Sequence, residues 1–139
     1  MAINTSASTI VTFYGQGGSL QIEITEGERP MYYLSLPGRR LCLGGRYLES
    51  VAPLLLGGLS LTEEEIEAGF PDEPVDGYKV RYVLAFLPER YSLYIGVRGS
   101  RRLLYFQDGG DTGADEDACI RLSEDQTARW REQLRALIA

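Results

Sequence analysis

Residues 78–139 constrain the fold of this chain most, because they read as consecutive strands followed by one closing helix. Alternate residues of the first strand, 79–87, would share one apolar face: Val80, Tyr82, Leu84 and Phe86. The opposite face is also largely apolar, which is typical of a strand covered on both sides. Pro88 has no N–H for a central ladder, so we expect the strand to end there.

A tight hairpin and two further strands follow. Leu93, Ile95 and Val97 alternate with polar or small residues, which predicts a second strand. Gly99 and Ser100 form a two-residue connection, in which glycine supplies the positive φ that such a turn requires. Residues 102–107 would return as the third strand, and residues 118–122 predict a short fourth one.

The closing helix is predicted to begin at Ser123. Ser123 and Gln126 have the spacing of a capping box, in which each side chain bonds the backbone N–H of the other residue. Acidic residues follow directly, where the helix dipole favours negative charge. The helix carries one apolar stripe, which we expect to pack on the sheet: Trp130, Leu134, Leu137 and Ile138.

The N-terminal half predicts more sheet. Strands at 10–14, 20–25, 31–36 and 41–43 are separated by turn residues, as in an antiparallel meander. Residues 46–58 fit a helical turn or another buried segment equally well. Thr62 and Glu65 form a second capping box, which predicts a short helix ending at Gly69.

These elements predict an α+β fold. We expect a mainly antiparallel, twisted sheet of about 7–8 strands in two meanders, with a short middle helix and a C-terminal amphipathic helix packed on the sheet. A length of 139 residues predicts a single domain. It would have two weakly defined halves, 9–70 and 78–139, and the acidic, proline-containing residues 70–75 would be the hinge between them.

Composition narrows the function classes. A net charge of −6 and a pI near 4.7 argue against a general polyanion binder and favour a basic partner. The absence of histidine removes the commonest general base and the usual metal ligand. Cys42 and Cys119 are too few for a disulfide framework; we expect buried free thiols, although the sequence leaves their pairing open. With no signal peptide or apolar membrane span in the sequence, we expect a cytoplasmic protein.

Two loops resemble known binding loops. The acidic loop 108–117 could hold calcium, but Gly110 and Thr112 stand where an EF-hand has acids and no glutamate lies at position twelve, which favours a solvated loop. The glycine-rich loop 15–18 lacks the following Gly-Lys-Ser/Thr of a phosphate loop and joins two strands, which favours a hairpin. We therefore predict no catalytic residue, no metal site and no cofactor.

The favoured function is contact with another protein. The chain would be a small, noncatalytic inhibitor, immunity-type or adaptor protein that docks on a basic protein surface, with acidic side chains providing steering and specificity. We expect these acidic side chains to contact the partner: Glu63, Glu64, Glu67, Asp72, Asp108, Asp111, Asp115, Glu116 and Asp117. A secretion chaperone is a further alternative, and a free strand edge would also allow a homodimer.

A second hypothesis is single-stranded nucleic acid. Tyrosines and arginines interleave on the predicted hairpin, and such a sheet face can stack unpaired bases: Arg90, Tyr91, Tyr94, Arg98, Arg101, Arg102 and Tyr105. In the order of their elements, residues 79–138 resemble the Whirly proteins and related single-stranded-DNA-binding coactivators. The resemblance rests on the strand-turn-strand run and on residues 120–130, Ile-Arg-Leu-Ser-Glu-Asp-Gln-Thr-Ala-Arg-Trp. It implies a nucleic-acid partner on the sheet.

Overall fold

A computed structural model of the chain describes residues 8–45, 51–69, 71–86, 91–109 and 117–138. Within these ranges, nine strands form two antiparallel sheets, and three helices pack with them. The structure therefore confirms the predicted α+β class, the antiparallel pairing and the C-terminal helix. It has one strand more than the upper end of the expected range.

The first sheet is the predicted meander. Its strands are β1 (Ser8–Gly15), β2 (Gly18–Thr25), β3 (Met31–Leu36) and β4 (Arg39–Gly45), and each pairs with the next along the chain. The chain turns between β3 and β4 at Pro37 and Gly38, where Gly38 has a φ of 78°. Alternating apolar side chains of this sheet are buried: Phe13, Leu20, Ile22, Tyr32 and Leu34.

Two short helices follow, α1 (Val51–Leu59) and α2 (Glu63–Ala68). The segment that the sequence left undecided is thus helical from Val51; residues 46–50 lie outside the described residues. Pro53 fits because it stands in the first helical turn, where N–H groups have no intrahelical acceptor. The capping box of α2 is confirmed, since the Thr62 hydroxyl accepts from the Glu65 N–H at 3.2 Å and the Glu65 carboxylate accepts from the Thr62 N–H at 3.3 Å.

The second sheet contains β5 (Asp72–Val75), β6 (Tyr78–Phe86), β7 (Tyr91–Arg98), β8 (Arg101–Asp108) and β9 (Ala118–Leu122) in chain order. The prediction of a hinge was wrong for Asp72–Val75, which pairs with β6 as an edge strand. Pro74 hid this strand in the sequence, yet proline is tolerated at a sheet edge because its missing N–H need not face a partner. Residue 70 and Pro88 lie outside the described residues.

A bulge in β6 changes which side chains face the core. Tyr82 pairs with Tyr94 and Leu84 pairs with Leu93, so the register shifts at the residue between them. As a result, Val80 and Tyr82 lie on one side of the sheet, and Leu84 and Phe86 belong to the main core on the other. The predicted common face for these four residues was wrong, because the extra residue of a bulge reverses the strand alternation.

The third helix, α3 (Glu124–Ile138), begins with the predicted capping box. The Gln126 N–H donates to Ser123 Oγ at 3.2 Å, and the Ser123 N–H donates to Gln126 Oε1 at 3.0 Å. Trp130 and Leu134 are fully buried in a core that combines side chains of both sheets and all three helices. The prediction that Ile138 belongs to the buried stripe was wrong, because this residue is 46% exposed.

Helix α3 also closes the open edge of β1. The Trp130 ring lies 5.2 Å from the Phe13 ring, and its indole N–H donates to the Tyr14 carbonyl at 2.7 Å. One turn later, the Gln133 amide donates to the Thr12 carbonyl at 3.0 Å. Side chains of the helix thus donate hydrogen bonds to carbonyl groups of β1 that would otherwise be unpaired at the strand edge.

The glycine-rich turn between β1 and β2 joins the two sheets. It connects paired strands, which confirms the hairpin interpretation. Its Gln16 exchanges two backbone hydrogen bonds with Arg121 of β9, at 2.7 and 2.9 Å. A Cβ on Gly15 would overlap the Ile120 side chain and come within 2.7 Å of Leu122, so glycine is needed for this close approach.

Two adjacent glycines of α1 are expected to respond in opposite ways to alanine. A Cβ on Gly58 would lie 2.9 Å from Ile95 Cγ1 and 3.3 Å from Val83 Cγ2, whereas nothing lies within 4 Å of a Cβ on Gly57. We expect Gly58→Ala to lower the free energy of unfolding by about 1–3 kcal/mol through overpacking. Gly57→Ala should raise it by up to about 1 kcal/mol through helix propensity.

Urea denaturation of both variants beside the parent chain measures this difference. Each variant makes the same chemical change one position apart, so each is the control for the other. Equal denaturation midpoints in the two variants would contradict the close packing of α1 on β6 and β7.

Candidate functional site

The second sheet has one side that packs on the main core and another that carries a cluster of its own. That second cluster consists of strand residues alone: Tyr78, Val80 and Leu103, with Val75, Tyr94, Tyr105 and Cys119 packed against them. We call this side the outer face. It combines exposed aromatic and charged side chains, so it is the surface that we consider for binding.

Three tyrosines form a row across the outer face. Tyr94 pairs with Tyr82 on one neighbouring strand and with Tyr105 on the other. The ring centroids are 5.7 Å apart for the first pair, which meets edge to face, and 5.8 Å apart for the second. Tyr82 is 49% exposed and the other two are half-buried. Because such aromatic pairs stabilise one another by about 0.5–1.5 kcal/mol, the tyrosine row is a preorganised platform.

A groove of about 310 Å³ runs between the edge strand β5 and the tyrosine row. Its size is at the lower end of the range for small-ligand sites. The described residues that line it include two carboxylates, two tyrosine rings and no cation: Asp72, Glu73, Pro74, Val75, Val80, Tyr94, Tyr105 and Gln107. We call it the acidic groove.

Hydrogen bonds hold the sides of the acidic groove in place. Asp72 Oδ2 accepts from the Tyr82 N–H at 3.1 Å, which ties the acid to the neighbouring strand. The Tyr94 hydroxyl donates to Gln107 Oε1 at 3.2 Å. Burial raises the pKa of the Tyr94 phenol, and the negative charge of Asp72 raises it further. The carboxylates of Asp72 and Glu73 line the groove beside this ring, and their negative charge favours a bound cation.

Asp117 makes two hydrogen bonds at the Tyr105 end of the tyrosine row. Its carboxylate accepts from the Tyr105 hydroxyl at 2.6 Å and from the Asp108 N–H at 2.8 Å. These bonds join the end of β8 to the start of β9. The other predicted acids of this loop, Asp111, Asp115 and Glu116, lie outside the described residues. In the part of the chain that the structure describes, no three potential ligands are grouped closely enough for a metal ion.

The predicted acids of α2 lie apart from the acidic groove. Glu67 forms an ion pair with Lys79, and this hydrogen bond raises the pKa of the Lys79 ammonium. Lys79 and the groove residue Val80 are consecutive in β6, so their side chains project to opposite sides of the sheet. Glu63 accepts from the Gly99 N–H at 3.4 Å, and Glu64 is exposed. The predicted acidic set is thus divided between two surfaces.

The predicted nucleic-acid face is divided as well. Tyr94 and Tyr105 lie in the tyrosine row, whereas the Tyr91 ring is buried in the main core. Arg98 and Arg101 are exposed at the hairpin end of the sheet. Arg90 lies outside the described residues. The tyrosine row gains Tyr82, which the sequence placed on an apolar strand face and not on a binding surface, because the bulge beside it has no sequence signal of its own.

Arg102 faces α1 and holds its end. Its Nε and one terminal nitrogen donate to the carbonyls of Leu59 and Leu61 at 3.2 and 3.1 Å. The other terminal nitrogen donates to the carbonyls of Gly99 and Arg101 at 2.9 and 3.0 Å. Burial lowers the pKa of this guanidinium. Four carbonyl contacts make Arg102 a structural link between the hairpin and α1.

Both cysteines are free thiols. The prediction of a buried thiol was wrong for Cys42, which is exposed on the edge strand β4 opposite Tyr33. Cys119 is half-buried beside Tyr105, and burial raises the pKa of its thiol. Neither cysteine lines the acidic groove.

Comparison of the chain with protein-family models, with curated proteins and with solved structures gives no match. Across the described ranges, no helix combines the length and apolar character needed to cross a membrane. Functional inference for this protein therefore begins with the chemistry of the outer face.

Proposed function

We propose that this chain is a noncatalytic protein-binding domain that takes up a basic segment of its partner on the outer face. The observation that carries the proposal is the acidic groove, in which Asp72 and Glu73 lie beside the rings of Tyr94 and Tyr105. Inhibitor, immunity-type and adaptor proteins are the classes that such a surface suits.

Two attractive terms act on a cation in the acidic groove. The face of a tyrosine ring attracts a cation by about 0.5–1 kcal/mol at exposed sites and by about 2 kcal/mol or more where water is excluded. The carboxylates of Asp72 and Glu73 add direct charge attraction. The overall charge of −6 would also steer a basic partner toward the chain. Aromatic affinity and acidic selectivity thus combine on one surface.

Single-stranded nucleic acid is the second candidate, favoured by the tyrosine row with Arg98 and Arg101 near one end of the same sheet. Two contacts weaken it. The Arg102 guanidinium donates to backbone carbonyls on the core side of the sheet. Arg121 forms an ion pair with Asp76. The carboxylates beside the rings would repel phosphate groups, so the protein partner is the better fit.

Removal of the groove charges is expected to weaken binding of a basic peptide. We expect the double variant Asp72→Asn and Glu73→Gln to bind a fluorescein-labelled Arg/Gly peptide at least about tenfold more weakly, which corresponds to about 1.4 kcal/mol. Asparagine keeps the oxygen that accepts from Tyr82, so the change removes charge and keeps the hydrogen bond. Fluorescence anisotropy at physiological ionic strength, where the Debye length is about 8 Å, measures the dissociation constants.

A matched control separates the groove from general acidity. Glu64→Gln with Glu124→Gln removes two exposed carboxylates from the helices and should change the affinity less than about twofold, since distant surface charges are screened by salt. An equal loss in both double variants would contradict the proposal. Tighter binding of a labelled single-stranded oligonucleotide than of the peptide would favour the second candidate instead.

A further inference from the structure

We infer that the acidic groove receives the side chain of one arginine, stacked on the tyrosine rings and bonded to the carboxylates of β5. The inference deepens the proposed function and rests on it. Its starting point is the shape of the groove: the rings of Tyr94 and Tyr105 are inclined at 34° with centroids 5.8 Å apart, and Asp72 and Glu73 flank them.

The donor pattern of arginine matches these acceptors. A guanidinium is planar and carries five N–H donors along its edges, so it can stack on an aromatic ring while its edges bond to carboxylates. The Tyr82 N–H donates to Asp72 Oδ2, so the other carboxylate oxygen, Oδ1, can accept a hydrogen bond from a ligand. Glu73 is exposed and adds a second carboxylate. In such a groove, a guanidinium can stack its planar face on a ring while its N–H groups donate to the carboxylates.

Lysine fits the same groove less well. Its ammonium is a compact, strongly hydrated charge, whereas the guanidinium is weakly hydrated and presents a flat surface to a ring. The groove is lined partly by Pro74, Val75 and Val80, so an entering group loses water on its apolar side. The cost of that loss is smaller for arginine, and selectivity for arginine over lysine follows.

The exposed arginines of the hairpin do not cancel this attraction. Arg98 is four residues beyond Tyr94 along β7, so their backbones are about 13 Å apart at about 3.3 Å per residue. Its guanidinium lies beside Gly77 in the turn after β5, 3.5 Å from the position of a Cβ there and beyond the residues that line the groove, and salt partly screens this exposed charge. Asp72 is closer, since its charge acts on the Tyr94 phenol directly.

Three short peptides that differ in one side chain test the inference. We expect acetyl-Gly-Gly-Arg-Gly-Gly-amide to shift the NMR signals of Tyr94 and Tyr105 in the full chain. The dissociation constant of the citrulline peptide, which is neutral and nearly the same shape, should be at least about tenfold higher, and that of the lysine peptide at least about threefold higher. Equal affinities for all three peptides would overturn the inference.

Two tyrosine variants locate the site. Tyr94→Leu removes a ring of the groove and should raise the dissociation constant of the arginine peptide at least about fivefold. Tyr14→Leu makes the same change at a tyrosine of the first sheet that is 69% exposed, and it should leave the affinity within about twofold. Shifts that map outside the groove, or an equal effect of both variants, would overturn the inference.

Failure of the inference is distinguishable from failure of the proposed function. If the lysine peptide binds as tightly as the arginine peptide and both need Asp72 and Tyr94, the groove binds basic segments without preference for arginine. The proposed function then stands and the inference is overturned. If neither peptide shifts a groove signal at millimolar concentration, both are overturned.

Discussion

Replacement of Trp130 by alanine is expected to lower the free energy of unfolding by about 3–5 kcal/mol, the largest effect we expect from one side chain of α3. The indole is fully buried against Phe13, so its removal leaves a cavity between the helix and the first sheet. The Tyr14 carbonyl also loses its donor. Since domains of this size are stable by only about 5–15 kcal/mol, the variant should be close to unfolding at ambient temperature.

Two further substitutions divide this effect into its parts. Trp130→Phe keeps much of the buried volume and removes the indole N–H, so it should lower the stability by a smaller amount, about 1–3 kcal/mol. Glu132→Ala, at an exposed position of the same helix, should lie within about 0.5 kcal/mol of the parent chain. Urea denaturation followed by circular dichroism measures all three. An unchanged midpoint for Trp130→Ala would contradict the packing of α3 on the first sheet.

Substitution of Arg102 by alanine is expected to give the second large effect, a loss of about 2–4 kcal/mol. Hydrogen bonds to a charged group contribute about 1.5–3 kcal/mol, and the part-buried carbonyls of Leu59 and Leu61, left without this donor, add a desolvation cost. Arg102→Lys should recover only part of the loss, because an ammonium has no planar fork to reach Leu59 and Leu61 together. Thermal and urea denaturation measure the two variants.

The neighbouring arginine provides the control for Arg102. Arg101 is exposed on the same strand, so Arg101→Ala should change the stability by less than about 0.5 kcal/mol. If the two alanine variants have equal stability, the contact of Arg102 with the end of α1 is not structural. If only Arg102→Ala is destabilised, arginines of the hairpin divide into a structural one and exposed ones, as the hydrogen bonds indicate.

Local signals in the sequence predicted local structure. The capping boxes at Thr62 and Ser123 were predicted correctly, because each depends on two residues three positions apart. The turn between the strands predicted at 31–36 and 41–43 was also expected, and Gly38 there has the positive φ that glycine permits. Most strand positions followed from alternation of apolar residues in the same way.

Features that depend on distant residues escaped prediction. The edge strand at Asp72–Val75 is a strand only because β6 pairs with it, and its own composition indicates a connector. The bulge in β6 is set by pairing with β7, so alternation alone put Tyr82 and Leu84 on one face. Close packing of Gly58 against Ile95 explains why α1 tolerates glycine, and that contact lies outside any local pattern.

The candidate site was predicted in pieces that belonged to different hypotheses. Asp72 was assigned to an acidic partner surface, and Tyr94 and Tyr105 to a nucleic-acid surface. The structure brings the three side chains to one groove. The sequence shows which residues are charged or aromatic. Which of these residues become neighbours depends on how β5, β6, β7 and β8 pair.

Closure of β1 by α3 has a consequence for the order of events during protein synthesis. Trp130 and Gln133 stand 116 and 121 residues after the carbonyl groups that they occupy. At a translation rate of about 5–20 residues per second, the interval between the two is roughly 6–24 s. The first sheet is complete only after Gly45 has been synthesised, so for the 85 residues from there to Trp130, roughly 4–17 s at the same rate, we expect its β1 edge to be open to a chaperone or to another chain.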